Sequence, residues 1–355
     1  MKVFITGICG FVGNALAECL VERVEGIRVV GIDNLMRPGA ETNRMRIERL
    51  GVEFIHGDLR SASDIAGLPA CDWVIDAAAN PSVLAGLSGS GSSRRLFEHN
   101  LAAFGNVLEY CREHKAGLLL LSSSRVYSIP AFAAIPLWVH DQAFAIDPAA
   151  PLPCGLTADG IGVDFSTAAP VSLYGATKLA SEIMALEYGA AFDFPVWVTR
   201  CGVLTGAGQF GTPAQGIFAF WVNAHLRRRP IRYIGFNGTG YQTRDAFHPR
   251  DLAALLVAQM ATARSDGQRI YTAGGGAANT MSLAQLTAWC DERFGRHTPA
   301  VDPEPRMYDI PWVAMDNTRA AKDFGWQIDM SLPTILEGIS QHAYDHPDWL
   351  EVSHV

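Results

Sequence analysis

The chain has 355 residues, of which 49% are hydrophobic and 18% charged, a composition typical of a folded globular protein and not of a disordered one. Its net charge of −8 argues against a nucleic-acid-binding protein, because the one dense basic run is LRRRPIR at 226–232, which suits at most a small anion. No stretch of 18 or more apolar residues and no cleavage-site pattern after Met1 are present, so we expect a cytoplasmic protein without a membrane partner.

Short apolar runs alternate with helical patterns through the first half of the chain. In order, the sequence predicts a strand in KVFIT, a helix over about 11–23, a strand in IRVVGID, a second helix, and strands in VEFIHGD, DWVIDAA and AGLLLLSSS. Two longer helical stretches cover 94–115 and 172–191. Alternation of this kind, with strands apolar on both faces, predicts an α/β fold with a Rossmann-type doubly wound parallel sheet.

The second half has a different composition. After about residue 205, glycine and proline become frequent, and GQFGTPAQG and GFNGTGYQTRD are predicted to be loops that fold around a ligand. We therefore expect a dinucleotide-binding domain over 1–200, with a return segment near 240–262. A smaller, mixed α/β substrate domain is expected over 201–345, and a polar tail over 346–355.

A glycine-rich turn follows the first strand. In FITGICGFVG, Gly7, Gly10 and Gly13 permit a tight turn and a close approach of the backbone to a pyrophosphate at the helix N-terminus. Asp33 ends the second strand 20 residues after Gly13, where a carboxylate binds both ribose hydroxyls and repels a 2′-phosphate. The pattern predicts NAD and not NADP. Asp58, after the third strand, suits either an adenine amino group or a strand-end cap.

The segment YGATK places Tyr174 and Lys178 on one face of a helix. A tyrosine is a general base near neutral pH only if its pKa, about 10 in isolation, is lowered, and a lysine ammonium with an oxidised nicotinamide would lower it. Lys178 would also hold the nicotinamide ribose. The alternative is an aromatic ring packed over a lysine stem. The serines at 122–124 and the upstream dinucleotide motif favour the catalytic interpretation.

Neither the cysteines nor the tryptophans suggest further chemistry. The seven cysteines are odd in number and lack Cys-x-x-Cys spacing, so we expect reduced, mostly buried thiols and no disulfide framework or zinc site. The histidines show no H-E-x-x-H arrangement, and no metal is expected. Trp221, Trp312 and Trp326 are expected in the core or at an interface.

Together these motifs resemble the extended short-chain dehydrogenase/reductase superfamily, in its nucleotide-sugar epimerase/dehydratase branch. The resemblance spans essentially the whole chain, through TGICGFVG, GDLR, AAAN, HNLAAFGNVLE, SSSRVY, YGATK, TRCGVLTG and RDAFHPRDLA. It implies that Ser123, four residues before Tyr127, completes a catalytic triad with Tyr174 and Lys178. It also implies NAD contacts from Gly7, Gly10, Phe11, Val12, Gly13, Asp33, Asn34, Asp58, Leu59, Ala77, Ala78, Ala79, Asn100, Ser122, Tyr174, Lys178, Cys201 and Val203.

The residues after the catalytic hydroxyl indicate which activity of this branch the chain resembles. Family 4,6-dehydratases have Asp-Glu there and decarboxylases have Glu at the second position, whereas this chain has Ser124 and Arg125, so the resemblance favours epimerases. The polar-basic pair, NPSVLAG, GQFGTPAQGIFAFWV and the 51-residue interval from Ser123 to Tyr174 are more similar to CDP-paratose 2-epimerases than to UDP-galactose 4-epimerases. The later part of the insertion over 128–171 is expected to cover the sugar.

For the substrate, the resemblance implies a set of polar contacts. Arg244, in the pair Arg244-Asp245, is similar in position to an arginine that binds the diphosphate in relatives. A second phosphate arginine of relatives is replaced by Pro311, and Arg306 is expected to substitute for it. The expected substrate contacts are Ser82, Ser123, Ser124, Arg125, Gln209, Gln215, Arg244, His248 and Arg306.

The sequence thus predicts an NAD-dependent nucleotide-sugar epimerase that inverts C2 of a CDP-linked hexose or deoxyhexose through a 2-keto sugar. By the same resemblance, the two long helices imply a homodimer or homotetramer. A UDP-sugar 4-epimerase of the same family is one alternative. A non-catalytic dinucleotide-binding sensor is another, which the intact triad of Ser123, Tyr174 and Lys178 disfavours.

Overall fold

The computed structural model describes residues 1–87, 92–262 and 267–353. The strands are β1 Lys2–Thr6, β2 Arg28–Asp33, β3 Glu53–His56, β4 Trp73–Asp76, β5 Gly117–Ser123, β6 Leu137–His140, β7 Ala143–Ile146, β8 Leu156–Thr157, β9 Gly160–Ile161, β10 Val196–Cys201, β11 Val203–Leu204, β12 Arg232–Ile234, β13 Thr243–Phe247, β14 Ile270–Ala273, β15 Thr280–Ser282, β16 Ala300–Asp302 and β17 Trp312–Val313. The helices are α1 Phe11–Arg23, α2 Ala40–Arg49, α3 Ala62–Ala66, α4 Ser93–Phe97, α5 Ala103–His114, α6 Ile129–Ala133, α7 Leu173–Phe192, α8 Ile217–Leu226, α9 Pro249–Ala261, α10 Leu283–Phe294, α11 Thr318–Phe324, α12 Leu332–Asp345 and α13 Trp349–Val352. A π-helical turn, Glu98–Ala102, joins α4 to α5.

The central sheet has seven parallel strands in the order β3-β2-β1-β4-β5-β10-β14. Helices α1, α2, α9 and α11 pack on one face, and α3, α5 and α7 pack on the other. This arrangement confirms the predicted Rossmann-type fold. The strand order reverses between β1 and β4, and ligands of such sheets bind in the crevice beyond the carboxyl ends of the strands at this point.

The chain returns to this sheet after leaving it. Helix α9 packs against α1, inside the return segment predicted near 240–262, and β14 then pairs in parallel with β10, with Val198 opposite Ile270. The return therefore extends beyond the predicted segment. Residues 1–200 alone lack one edge strand of the sheet and the helix that covers part of α1.

The C-terminal part contains a mixed four-stranded sheet. Strand β13 lies parallel to β11 and β17 and antiparallel to β15, while α8, α10 and α12 share an apolar core. This confirms the predicted mixed α/β architecture. The expectation that all of GFNGTGYQTRD is loop is wrong, because its last three residues, from Thr243 to Asp245, belong to β13.

The end of the chain is not the predicted polar tail. Trp349 and Leu350 of α13 are buried, and the Trp349 ring stacks on Phe210 with the ring centroids 5.1 Å apart. The indole N–H of Trp349 also donates to the Gln209 carbonyl at 2.9 Å. Burial of these two apolar side chains thus holds the segment against the rest of the fold, although most of its residues are polar. Of the predicted tail, residues 354 and 355 lie outside the described part of the chain.

The basic run at 226–232 is largely used within the fold. Arg227 donates to carbonyls at the end of α12 and Arg228 to carbonyls at the end of α10, while Arg229 pairs with Glu351. Cationic side chains stabilise helix C-termini in this way, where carbonyls lack partners within the helix. These three arginines therefore do not form the small-anion site that the run suggested.

Candidate active site

A cavity of about 720 Å³ lies at the carboxyl ends of β1, β4, β5 and β10. The other side of its wall comes from the segment 209–221, β12, β13 and the segment around Arg306. The charged residues of the described wall are Arg37, Arg125, Lys178, Arg232, Arg244, Arg306 and Asp309, six cations and one anion. A cavity with this excess of positive charge, in a protein of net charge −8, attracts an anionic ligand.

Most of the residues expected at the site lie together in this wall. They are Gly7, Gly10, Phe11, Val12, Gly13, Ala77, Ala79, Ser122, Ser123, Ser124, Arg125, Tyr174, Lys178, Cys201, Val203, Gln209, Gln215, Arg244 and Arg306. The expected residues that do not line the cavity are Asp33, Asn34, Asp58, Leu59, Ala78, Ser82, Asn100 and His248.

The turn after β1 requires its glycines. Gly7 has φ of +65°, and a Cβ at Gly13 would lie 2.3 Å from the Gly7 carbonyl oxygen. Gly10 precedes α1 and has no side chain to cap the first N–H groups of that helix. Open N–H groups at a helix N-terminus, with no Cβ in the way, fit the pyrophosphate of a dinucleotide.

Asp33 lies directly beside this turn. Its Oδ2 accepts a hydrogen bond from the Cys9 N–H at 3.0 Å and its Oδ1 accepts one from Leu35 at 2.8 Å, while burial raises its pKa. A carboxylate has about four lone-pair positions, so the two oxygens retain capacity for the two ribose hydroxyls. The turn and this carboxylate together fit NAD.

Asp58 is engaged in local contacts. It forms an ion pair with Arg60 at 2.6 Å and accepts a hydrogen bond from the Asn34 amide at 3.1 Å. The Arg60 guanidinium holds the Asp58 pKa well below its usual range. Of the two interpretations of Asp58, the structure shows a carboxylate that organises the end of β3, and the adenine contact stays a prediction.

The three expected catalytic residues come from two adjoining elements. Ser123 ends β5, and its Oγ accepts the Arg125 N–H at 3.1 Å. Helix α7 begins after Ser172, whose side chain caps the Gly175 N–H at 3.1 Å, so Tyr174 and Lys178 lie in its first two turns. Both side chains are buried, yet both line the cavity, where a phenol and an ammonium can act on a bound hydroxyl.

Sequence reasoning missed a buried ion pair behind this triad. Glu182, one turn after Lys178, pairs with Arg200 of β10 at 2.8 Å, with the two side chains only 2% and 6% exposed. Ser122 donates its hydroxyl to Glu182, so this hydroxyl is used within the protein and the expected NAD contact of Ser122 stays a prediction. The i, i+4 continuation of the Tyr174 and Lys178 spacing is the signal that points to Glu182.

Tyr127 is excluded as the base by its surroundings. It is fully buried and donates its hydroxyl to the Gly162 carbonyl at 2.9 Å, and burial raises its pKa to about 12.

The insertion over 128–171 packs against other parts of the fold. No residue of 128–171 belongs to the described wall, and instead Ile161 bonds to Ala314 and Phe165 packs in the cluster around Trp312. The expected cover of the sugar by this insertion therefore stays a prediction.

Arg125, Arg244 and Arg306 lie near one another in the wall. Arg244 pairs with Asp309 at 3.1 Å, and Arg125 donates from Nη1 to the Tyr308 carbonyl at 2.9 Å, in the segment that also carries Arg306. Burial, and then the charge of Arg244, lowers the Arg125 pKa to about 10. Guanidinium groups bind phosphate oxygens strongly, because their planar fork of donors matches two oxygens at once.

Asp245, the neighbour of Arg244, has a different role. Its side chain is fully buried and accepts the N–H groups of Val203 at 3.2 Å and Met315 at 3.1 Å. Burial raises its pKa to about 6. Asp245 therefore joins β11 and the segment after β17 to β13 and does not line the cavity.

Arg37 is a second residue that sequence reasoning missed. It reaches from the segment after β2 across the cavity, where it donates to the Phe210 carbonyl at 2.9 Å and to the Gln215 side chain at 3.4 Å. Gln209 is likewise held, because its amide donates to the Leu204 carbonyl at 2.8 Å. These contacts fix the segment 209–215 against the segment after β2 and against β11.

The remaining expected residues make contacts outside the wall. Asn100 bonds to the backbone N–H and carbonyl of Asn80, and so holds the turn after β4, while the Ser82 N–H donates to the Asn80 side chain. His248 caps α9, with Nδ1 accepting the Arg250 N–H at 3.1 Å, and burial lowers its pKa to about 4. Their expected ligand contacts stay predictions.

Other expectations concern metals, thiols and membranes. The described residues contain no group of three or more His, Cys, Asp and Glu side chains arranged to hold a metal ion. All seven cysteines are free, and six are buried, with Cys154 exposed, which confirms the expected thiols. Within the described ranges, no helix has the length and apolar character needed to cross a bilayer.

Comparisons with known proteins agree with this geometry. A sequence model described as "NAD dependent epimerase/dehydratase family" matches residues 3–274. CDP-paratose 2-epimerase of Salmonella typhi is 27% identical over 294 residues, 81% of this chain and 82% of that protein. UDP-glucose 4-epimerase of Mycolicibacterium smegmatis is 26% identical over 356 residues, 96% of this chain and 97% of that protein.

Solved structures show the same fold. UDP-glucuronic acid 4-epimerase from Bacillus cereus, crystallised with UDP-glucuronic acid and NAD, superimposes with a TM-score of 0.78 at 21% identity. The superposition covers 97% of this chain and 99% of that one.

Proposed function

The chain belongs to the NAD dependent epimerase/dehydratase family, its cofactor is NAD, and on that premise we propose that it inverts C2 of a CDP-linked hexose or deoxyhexose. This proposal is based mainly on the position of Ser123, Tyr174 and Lys178 in the wall of one cationic cavity. Ser124 and Arg125 follow the catalytic hydroxyl, where a dehydratase would need carboxylic acids. The similarity to CDP-paratose 2-epimerase supports the nucleotide and the position.

In the proposed reaction, the side chains move one proton of the sugar. Tyr174, as phenolate, takes the proton of the 2-hydroxyl, and Ser123 hydrogen-bonds the same oxygen as it becomes a carbonyl. The buried ammonium of Lys178 stabilises the phenolate charge. NAD held at the glycine turn and Asp33 would supply the acceptor, and later the donor, of the C2 hydride, which would return to the opposite face of the 2-keto sugar. Tyr174 then gives the proton back, so that neither cofactor nor proton is consumed.

The wall also supports a nucleotide diphosphate as the carrier of the sugar. Arg125, Arg244 and Arg306 lie near Asp309 in the wall and Asp245 behind it, so these cations outnumber the nearby carboxylates by one. The two negative charges of a nucleoside diphosphate linkage are attracted to this excess. Charge-assisted hydrogen bonds from guanidinium groups to phosphate would hold it.

A UDP-sugar 4-epimerase is the second candidate. UDP-glucose 4-epimerase of Mycolicibacterium smegmatis covers more of this chain than the 2-epimerase does, at nearly the same identity. The two functions share the triad and the cofactor. They differ in the nucleobase of the substrate and in the sugar carbon that reacts, so activity assays with CDP- and UDP-sugars distinguish them directly.

The deciding experiment combines two measurements on the purified protein. Cofactor released by denaturation should be NAD, and NMR of incubated CDP-, UDP- and GDP-sugars should show inversion at C2 of a CDP-sugar. In heavy water the product should contain no deuterium at C2, because the hydride returns internally. Inversion at C4 of a UDP-sugar would replace the proposal by the second candidate, and deuterium at C2 would indicate enolisation.

We also propose that the active form is a homodimer or a homotetramer built on α5 and α7. These helices pack side by side, and Leu173, Ile183 and Phe192 of α7 are exposed apolar residues, as is Phe97 of α4. Light scattering should give two or four chains, and Ile183→Glu should shift the mass toward one chain. A monomeric wild type would contradict the proposal.

A further inference from the structure

The position of Arg125 suggests what determines the carbon that reacts. Its backbone is adjacent to both catalytic hydroxyl residues, because its N–H donates to Ser123 Oγ and its carbonyl packs against Gly175, the residue after Tyr174. Its guanidinium donates from Nη1 to the Tyr308 carbonyl at 2.9 Å and lies near enough to the Tyr174 phenol for the two groups to interact electrostatically. Arg125 therefore connects the catalytic hydroxyls to the segment that carries Arg306 and Asp309.

We propose that Arg125 binds the sugar-side phosphate of the nucleotide sugar and thereby places C2, and not C4, at Tyr174. This inference rests on the proposed function and adds its specificity-determining residue. C2 is bonded to C1, which carries the phosphate oxygen, whereas C4 lies across the ring from C1. A phosphate held beside the catalytic hydroxyls brings C2 to them and directs C4 away.

The charge balance supports a phosphate and not a protein group as the partner of Arg125. Asp309 is the anion of this part of the described wall, and it is already paired with Arg244 at 3.1 Å. Arg125 has five N–H donors, of which one is used by Tyr308. A phosphate oxygen that accepts from the remaining donors supplies the missing negative charge in a buried place, where charged groups need a partner.

The contact can be measured without turnover. Calorimetric titration of the NAD-loaded protein with CDP and with CMP compares ligands that differ in the second phosphate alone, and UDP with UMP repeats the comparison for the other base. In the wild type CDP should bind much more tightly than CMP. Arg125→Gln should reduce this preference by about 10- to 100-fold, the range for losing a charge-assisted hydrogen bond, and change the CMP affinity by less than about threefold.

Two further variants complete the test. Arg125→Lys keeps the charge without the fork of donors and should recover part of the preference. Arg94→Gln removes an arginine whose side chain is 86% exposed and should bind both ligands as the wild type does. An unchanged preference in Arg125→Gln, with the fold retained by circular dichroism, would overturn the phosphate contact.

The position of reaction is measured with deuterated CDP-sugars in a single turnover of the wild type. Deuterium at C2 should slow oxidation of the sugar, and deuterium at C4 should not. A slowing by deuterium at C4 would overturn the inference, even if Arg125 binds phosphate. If no nucleotide sugar is oxidised at all, the proposed function fails, whereas the comparison of CDP with CMP still decides whether Arg125 binds the second phosphate.

Discussion

Gly175 and Arg125 approach so closely that a Cβ at Gly175 would lie 2.1 Å from the Arg125 carbonyl oxygen. This approach lets the first turn of α7 lie directly on the end of β5, which sets Tyr174 relative to Ser123. Gly175→Ala should force the two elements apart and lower kcat by at least about tenfold. It should also lower the free energy of unfolding by about 1–3 kcal/mol, as overpacking does.

A matched control is available in α12, where a Cβ at Gly338 meets no atom within 4 Å. Gly338→Ala should leave kcat unchanged and raise the free energy of unfolding by up to about 1 kcal/mol, because alanine favours a helix. Steady-state kinetics and urea unfolding measure both variants. Equal kcat in the two variants would contradict the role given to Gly175.

Removal of the phenol hydroxyl tests the general base. Tyr174→Phe should lower kcat by about 100- to 10,000-fold, the usual contribution of a positioned acid or base. NAD recovered after denaturation should stay at the wild-type amount, since the ring itself is kept. Ser123→Ala should give a smaller loss, because it removes one hydrogen bond to the reacting oxygen. Full activity of Tyr174→Phe would show that another group takes the proton.

The pair of Glu182 and Arg200 should contribute strongly to stability. Glu182→Gln leaves a buried guanidinium without its counter-charge and should lower the free energy of unfolding by about 3–5 kcal/mol. Glu48→Gln removes the partner of Arg44 in an exposed pair and should cost less than about 1 kcal/mol. Urea unfolding of both variants checks this, and similar losses would mean that burial of the pair is unimportant.

His248 should make the protein sensitive to acid. In the fold it is neutral, with its pKa lowered from 6.5 to about 4 by burial and by Arg250. The unfolded chain binds the proton more readily, so this stabilisation is complete above about pH 6.5 and is lost as the pH falls toward about 4. His248→Asn keeps a cap for α9 and should flatten the dependence of stability on pH in this window. Parallel curves for variant and wild type would refute the assignment.

Trp349 should affect substrate binding more than chemistry. Trp349→Ala removes the ring stacked on Phe210 and the hydrogen bond to Gln209, both of which hold the cavity segment 209–215. We expect KM for the nucleotide sugar to rise severalfold while kcat changes by less than about twofold. Trp138→Ala, which removes an exposed ring of β6 outside the wall, is the control and should leave KM unchanged.

The parts of the site that the sequence could predict are those encoded by local spacing. The glycine turn with Asp33, and the pair Tyr174 and Lys178, depend on short intervals within one or two elements, and the structure brings all but Asp33 to the cavity wall. Asp33 lies behind the wall and accepts a hydrogen bond from Cys9, a residue of the glycine turn. The parallel, doubly wound sheet followed from the alternation of strands and helices, whereas its strand order came from the structure.

Other parts depended on contacts between distant segments. Arg37 meets Phe210, and Asp309 meets Arg244, across separations of 173 and 65 residues that no local pattern encodes. The same reason explains the wrongly predicted polar tail, in which Trp349 and Leu350 are buried by partners far away in the chain. A single sequence contains all of these residues but does not show which of them are in contact.

The return of the chain to the central sheet has a consequence for synthesis on the ribosome. β14 completes the sheet next to β10, and α9 covers part of α1, so the dinucleotide-binding half cannot close when residue 201 leaves the exit tunnel. Until about 70 more residues have emerged, the nascent chain presents an unpaired edge of β10, where another strand can pair. Chaperone contact during translation should therefore persist through the making of the C-terminal part and end only after residue 273.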